Sequence, residues 1–278
     1  METIINGFKT NRAFAVTSVL VLCLLLIAIA APVIAPYDPT HAAMKDAFLE
    51  PGAQHLFGTD KLGRDCFSRV LYGARASLTG VLVLVASVFV VGTTMGVVSG
   101  YFGGKVDMVI MRISDMMISF PGMILAIAVA GIMGGSLVNA VIALTIVSWT
   151  KYARLSRSLV LQIKRRDYVE AAIVNGGTSP HILWVHILPN ILPMMVITAA
   201  ADIGALMMEL AGLSFLGFGS QPPAPEWGLM LNEGRQQLQT APWLMFFPGL
   251  AIFVTVVVFN LWGDNLRDVL DPRGDVED

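Results

Sequence analysis

Residues 167–193, DYVEAAIVNGGTSPHILWVHILPNILP, decide how this chain is organised. They follow its most basic segment and lie between two apolar blocks. Asp167 and Glu170 have the spacing of a capping box, which predicts a helix with Asp167 as its N-cap. Gly176-Gly177 predicts the end of that helix, because glycine adopts the left-handed cap conformation without a clash. Thr178-Ser179-Pro180 then predicts a second helix, with proline in its first turn.

One face of the first of these helices is small in the middle and polar at one end. Helical spacing brings four residues onto it: Tyr168, Ala171, Ala172 and Asn175. We expect another protein to approach the backbone closely here. The residues alone leave a second interpretation open, an ordinary amphipathic connector between two membrane spans.

The stretch resembles the cytoplasmic coupling loop of ABC-importer permeases, whose EAA signature is Glu-Ala-Ala, three residues, Gly, nine residues, then Ile-x-Leu-Pro. Six positions match: Glu170, Ala171, Ala172, Gly176, Leu188 and Pro189. His186 stands where the general pattern has Ile, and a His-x-Leu-Pro variant is frequent in the peptide and nickel branch. The resemblance implies that these six residues, with Asp167 and Tyr168, couple the chain to ATPase subunits.

The composition is that of a membrane protein, since 55% of residues are apolar and 14% are charged. We predict an all-α integral membrane protein with six transmembrane helices, and the resemblance implies the type I ABC importer permease fold. The predicted spans are 13–31, 78–98, two within 114–153, 191–211 and 246–261. Ala28-Ile29-Ala30 resembles a signal-peptide cleavage site, but the apolar run is long for a signal core, which favours an uncleaved first span.

The distribution of basic residues predicts the orientation. Residues 151–166 contain no acid and six cations: Lys151, Arg154, Arg157, Lys164, Arg165 and Arg166. Basic loops remain in the cytoplasm. We therefore expect cytoplasmic tails at 1–12 and 265–278, an extracytoplasmic loop at 32–77, and a five-helix core at 78–264 that contains the coupling loop 151–190. The resemblance places the chain in the bacterial inner membrane.

Further segments resemble one particular branch of the family. Residues 58–69, GTDKLGRDCFSR, and Pro36-Tyr37-Asp38-Pro39 are similar to the loop after the first span in C-type permeases of peptide and nickel importers. The ending GDNLRDVLDP, from Gly263, resembles the same branch. The resemblance implies a B-type permease, two ATPase subunits and an extracytoplasmic solute-binding protein as partners, beside the lipid bilayer.

Small residues recur on one face of the second predicted span. Gly92, Gly96 and Gly100 follow one another at steps of four. Such a row allows a neighbouring helix to pack closely within lipid. Glycine is also generally common in membrane helices, but the regular spacing favours a packing face.

Two acids, Asp202 and Glu209, lie on one face of the fifth predicted span. A carboxylate at mid-membrane is costly unless it faces protein or water. Both acids are candidates to line a path for a cationic solute, and the alternative is a structural carboxylate held by neighbouring hydroxyl or backbone groups. Both interpretations stay open for Asp202, whereas the resemblance favours the structural one for Glu209, which precedes an Ala-x-x-SFLG segment. Met207 and Met208 adjoin them and offer soft sulfur ligands, although core filling is the more ordinary role of methionine. No fixed metal site is predicted.

The chain lacks the motifs of an enzyme. No phosphate-binding P-loop and no nucleophile–base pair is present. We therefore predict a non-catalytic subunit without its own cofactor, with ATP and Mg²⁺ bound by partner ATPases. The net charge of −2 gives no indication of nucleic-acid binding, and Cys23 and Cys66 are expected to be unpaired thiols.

The cargo is the least determined part of the prediction. Asp202-Ile203-Gly204, Met207-Met208 and Glu226-Trp227-Gly228 resemble the nickel-type C permease, which favours nickel or a small metal chelate. Di- or oligopeptides are the alternative, because both branches share nearly every motif. An autonomous channel or ion-coupled carrier that uses Asp202 and Glu209 is a more remote hypothesis.

Overall fold

The computed structural model describes residues 11–270 and is helical throughout its regular structure. The predicted tails therefore lie largely outside the described residues, in 1–10 and 271–278. The helices are α1 (Arg12–Ile34), α2 (Cys66–Phe102), α3 (Gly104–Ile118), α4 (Gly122–Met133), α5 (Leu137–Ile163), α6 (Asp167–Val174), α7 (Ser179–His181), α8 (Leu188–Phe215), α9 (Trp227–Gly234) and α10 (Trp243–Leu270). A π-helical segment, Ile182–Ile187, joins α7 to α8, so that Ser179–Phe215 forms one long helix.

The structure does not confirm the predicted count of six spans. Within residues 11–270, four helices are long and apolar enough to cross a membrane: α1, α2, Ser179–Phe215 and α10. The consecutive helices α3 and α4 would make a fifth span together, but they are bent by 96° at the break between them. Helix α5 is not among these candidates, and Lys151, Arg154 and Arg157 interrupt its C-terminal half. By length and composition the described residues thus contain four or five apolar spans, and the count of six stays a prediction.

Two helices are longer than the sequence predicted. Helix α2 begins at Cys66 rather than at Leu78, because the Asp65 carboxylate accepts a hydrogen bond from the Ser68 N–H and caps the helix there. Residues 66–77, expected to be loop, are thus helical. The fifth predicted span begins well before residue 191, since the helix is continuous from Ser179.

The bend between α3 and α4 lies at Ser119–Pro121. Helix α3 ends at Ile118, and its Ser119 hydroxyl donates to the Met116 carbonyl at 2.6 Å. Pro121 cannot donate a backbone hydrogen bond, which ends the helical ladder of α3 at this point. The chain then turns into the short apolar helix α4, and the bend forms one wall of a cavity described below.

Among the described helices, α2 and α5 share the most extensive packing. Gly92, Gly96 and Gly100 lie against α5, and a Cβ atom at Gly100 would be 2.9 Å from the Val160 Cβ and 3.0 Å from the Arg157 carbonyl oxygen. A Cβ at Gly96 would overlap both the Ser156 hydroxyl and the Ala153 carbonyl. The glycine row therefore lets the two backbones approach more closely than any other residue would allow.

A buried ion network fastens the loop before α2 to α9. Arg64 donates to Asp60 at 2.6 Å and to both oxygens of Glu233 at 3.0 and 3.2 Å, while Arg69 donates to Glu233 at 2.7 Å. Both arginine side chains are only 1% exposed. Burial lowers the pKa of the Arg64 guanidinium, but the charges of Asp60 and Glu233 outweigh this effect and raise the pKa above its usual value.

Candidate coupling helix and solute cavity

The N-terminus of α6 differs from the predicted capping box. Arg166 is the N-cap residue, Asp167 is the first helical residue, and no side chain bonds to the free N–H groups there. Asp167 and Glu170 instead stand in the first turn. Their negative charge is favourable at this end because the helix dipole is positive there.

The C-terminus of α6 lies at the glycine pair, where the sequence predicts it. Gly176 adopts a left-handed conformation with φ of 79°, and its N–H donates to the Ile173 carbonyl at 3.0 Å. The Gly177 N–H donates to the Ala172 carbonyl at 2.9 Å. These two bonds form a Schellman motif, which ends the helix and reverses the chain toward α7.

Helix α6 buries one side chain against the rest of the protein. Val169 is its single fully buried residue, at 0% exposure. Three large apolar residues of the helix are exposed, namely Tyr168, Ile173 and Val174 at 46, 44 and 86%. Of the four residues predicted to share a face, Tyr168, Ala171 and Asn175 are exposed and Ala172 is partly so. The helix therefore presents most of its surface outward.

The remaining predicted coupling residues lie where the π segment enters α8. Leu188 packs against the main core, and Pro189 is exposed in the first turn of α8. Pro189 has no N–H for the carbonyl four residues earlier, and a π-helical turn is one way for a helix to accommodate such a gap. The His186 ring lies 6.2 Å from the Tyr168 ring and so connects this segment to α6.

Asp202 and Glu209 line a cavity of about 350 Å³ between α3, α4, α5 and α8. We call it the acid cavity. Its polar or ionisable lining residues are Ser148, Thr150, Lys151, Tyr152, Asp202 and Glu209, and its apolar walls include Met117, Ile118, Phe120, Leu144, Val147 and Leu206. The structure thus brings the two predicted acids to one site.

A lysine that sequence reasoning assigned to the cytoplasmic basic loop reaches this cavity. The Lys151 ammonium lies 2.7 and 2.8 Å from the two carboxylate oxygens of Asp202. Glu209 has a weaker partner, the Ser148 hydroxyl at 3.5 Å. The sequence contained one signal for Lys151, since it is the first charge after the uncharged run 121–149, but nothing local indicated its partner on α8.

The two methionines beside the acids do not join them. Met207 is 1% exposed and belongs to the main core. Met208 is 55% exposed and lines a separate apolar groove between α8 and α10. Across residues 11–270, no three His, Cys, Asp or Glu side chains are grouped to hold a metal ion, and Cys23 and Cys66 are unpaired.

Two protein families match this chain and together cover most of it. Residues 92–275 match the family described as "Binding-protein-dependent transport system inner membrane component", and residues 3–51 match "N-terminal TM domain of oligopeptide transport permease C". The fold resembles a chain of the MetNI methionine ABC transporter in an inward-facing conformation. That match has a TM-score of 0.59 at 20% identity and covers 73% of this chain and 97% of that one.

Curated relatives align over nearly the full length. The dipeptide transport permease DppC of Alkalihalophilus pseudofirmus is 42% identical, covering 95% of this chain and 87% of its own. The nickel transport permease NikC of Escherichia coli K12 is 40% identical, with 96% and 97% covered. The glutathione transport permease GsiD of Pectobacterium atrosepticum is 44% identical, with 96% and 89% covered. This chain therefore belongs to the inner-membrane permeases of binding-protein-dependent ABC importers, in the C-type branch that serves peptides and nickel.

Proposed function

We propose that this chain is the permease subunit of an ATP-driven importer and that α6 is the helix on which an ATPase subunit docks. The observation that carries the proposal is the exposure of α6. Only Val169 is fully buried, whereas Ile173 and Val174 present apolar surface outward. An exposed apolar helix held by one anchor is suited to a partner that covers it.

The connections of α6 give a route by which such docking would act on solute. Helix α5, which carries Ser148 and Lys151, leads directly into α6. The long helix Ser179–Phe215 follows α6 and carries Asp202 and Glu209. Both helices that supply the charged wall of the acid cavity therefore meet at α6, so a displacement of α6 by an ATPase would reach both sides of that wall.

The importer is proposed to need four further subunits of three kinds. These are a B-type permease, two ATPase subunits that bind ATP and Mg²⁺, and an extracytoplasmic solute-binding protein. The chain itself is the non-catalytic, multi-pass membrane part, with both termini and α6 on the cytoplasmic side. The family assignment and the cationic segment 151–166 support this arrangement.

The first candidate cargo is nickel, carried as a small chelate. Within the described residues, Glu209 has no cation within salt-bridge distance, so the acid cavity retains one carboxylate available to a positive group. Di- or oligopeptides are the second candidate, because Lys151 adds a positive group that a peptide carboxylate would match. Uptake of radiolabelled nickel and of a labelled dipeptide, compared in a strain lacking this gene, decides between them.

The docking proposal is tested with Gly176→Trp. A Cβ atom at Gly176 would meet no atom of the described residues within 4 Å, so the indole would project from the surface proposed to receive the ATPase, while the left-handed φ of 79° adds backbone strain. We expect normal membrane insertion and loss of ATP-driven uptake. Gly176→Asn is the matched control, because asparagine tolerates the left-handed backbone and is small. Uptake that persists in cells lacking any cognate ATPase would instead support an autonomous carrier.

A further inference from the structure

The charges of the acid cavity are not equivalent to one another. The carboxylate of Asp202 is paired at both oxygens with Lys151. Glu209 has only a long contact with the Ser148 hydroxyl. Counting Lys151, Asp202 and Glu209 as charged, the lining carries one positive and two negative charges. Asp202 is therefore neutralised, and one acid remains for a ligand.

The two side chains of the Lys151–Asp202 ion pair differ in conformational freedom. The Lys151 side chain is 62% exposed, whereas the Asp202 side chain is 16% exposed and is held on the long helix. Lysine carries its ammonium on a flexible four-carbon stem. Lys151 can therefore leave Asp202 for a second anion within reach, while Asp202 stays in place.

An exchange of partners is cheaper than a simple opening of the pair. Removing Lys151 from Asp202 without replacement would leave a largely buried carboxylate unpaired within the membrane, which is strongly unfavourable. A solute with an anionic and a cationic group avoids that cost, because its anion receives Lys151 while its cation pairs with Asp202 or Glu209. A bare divalent cation offers Lys151 no new partner and is repelled by it.

We propose that Lys151 is the specificity-determining residue of the acid cavity, admitting solutes that carry both a positive and a negative group in preference to bare divalent cations. The inference rests on the proposed importer function and deepens it. Zwitterionic molecules and metal chelates with free carboxylates belong to the admitted class. Nickel as the free ion does not.

The test measures binding to the assembled permease–ATPase complex without its solute-binding protein. The two probes are Ni²⁺ alone and the zwitterionic dipeptide Ala-Ala. The binding of each is measured by calorimetry. Lys151→Gln is expected to raise the affinity for Ni²⁺ about tenfold and to weaken Ala-Ala binding, because it removes one nearby positive charge. Lys151→Arg keeps the charge and is expected to resemble the native complex. Lys105→Gln, an exposed lysine on α3 outside the cavity, is the charge-matched control.

A double variant tests whether the change in Ni²⁺ affinity follows the charge of the Lys151–Asp202 pair. Lys151→Gln with Asp202→Asn removes both members of the pair and is expected to return the Ni²⁺ affinity to within about twofold of the native value. Should Lys151→Gln fail to assemble, Asp202→Asn alone is expected to weaken Ni²⁺ binding. Equal Ni²⁺ affinity in Lys151→Gln and native complexes overturns the proposal. Equal Ni²⁺ affinity in Lys151→Gln and in the double variant also overturns it. An absence of Ala-Ala binding to the native complex overturns it as well.

The same preparation distinguishes this inference from the proposed function. If the solute-loaded binding protein fails to stimulate ATP hydrolysis by the native complex, the importer assignment itself is refuted. If stimulation is normal and the probe selectivity of Lys151→Gln is unchanged, only the role of Lys151 is refuted.

Discussion

Arg157 and Asp107 form a two-bond clamp between α5 and α3. The Arg157 Nε and Nη2 atoms lie 2.5 and 2.6 Å from the two carboxylate oxygens of Asp107, and the Ser99 hydroxyl of α2 donates to the same carboxylate at 2.5 Å. The clamp therefore joins three helices a short distance before α6. Parallel guanidinium–carboxylate bonds fix orientation as well as distance.

Arg157→Gln is expected to destabilise the folded chain by about 1 kcal/mol, since the pair is bidentate but about one third exposed. It should also weaken the coupling between ATP hydrolysis and uptake, because α5 would lose a fixed position before α6. The measurements are the thermal midpoint in detergent and the uptake per ATP hydrolysed.

Arg154→Gln is the comparison, because the Arg154–Asp115 pair also joins α5 to α3 but its side chains are 46 and 56% exposed. Solvent screening makes such a pair worth less. A larger loss of stability in Arg154→Gln than in Arg157→Gln would contradict the role given to the clamp.

The second prediction concerns the glycine row. Gly96→Ala is expected to destabilise the α2–α5 pair by about 1–3 kcal/mol, because the new methyl group would overlap the Ser156 hydroxyl and the Ala153 carbonyl, and the carbonyl cannot rotate away. The measurement is the thermal midpoint of the purified protein in detergent.

Gly131→Ala provides the matched control within another membrane helix, α4. A Cβ atom there would lie 3.5 Å from the Phe218 ring, which is ordinary van der Waals contact. We expect little change in its midpoint, and equal midpoints for Gly96→Ala and Gly131→Ala would refute close packing at the row.

Some local features of the chain could be predicted from sequence, although the N-cap of α6 and the start of α2 were not. The end of α6 at Gly176 and the row through Gly96 depend on backbone conformation and on residue size at a fixed helical spacing, both of which are visible in one segment. The partner of Lys151 lies on α8, 51 residues away, and no local pattern encodes such a pairing. The 96° bend at Ser119–Pro121 was missed because a long uncharged run alone does not reveal where it bends.

The third prediction separates the anchor of α6 from its outer surface. Val169→Ser is expected to loosen α6, because it removes the single fully buried apolar side chain that holds the helix. Amide hydrogen exchange over residues 167–176 should accelerate several-fold, since less free energy is needed for local opening.

Val174→Ser makes the same chemical change at a residue that is 86% exposed. We expect its hydrogen exchange to match the native protein, while its ATPase coupling is reduced because docking surface is lost. Accelerated exchange in Val174→Ser, or native exchange in Val169→Ser, would show that the helix is held by other contacts.

The fourth prediction concerns the ion network between the loop before α2 and α9. Glu233→Gln removes the shared carboxylate of Arg64 and Arg69 and leaves two guanidinium groups, each 1% exposed, with Asp60 as their remaining acid. Removing one partner from a buried charge network costs about 3 kcal/mol, because two buried guanidinium groups would then share the single carboxylate of Asp60. We expect the thermal midpoint to fall by several degrees and protease to cut within residues 36–65.

Glu50→Gln, an exposed acid of the same loop, removes an equal charge and is expected to leave both measurements unchanged. An unaltered cutting pattern in Glu233→Gln would mean that the loop is held by its hydrogen bonds and apolar contacts, without a contribution from the network.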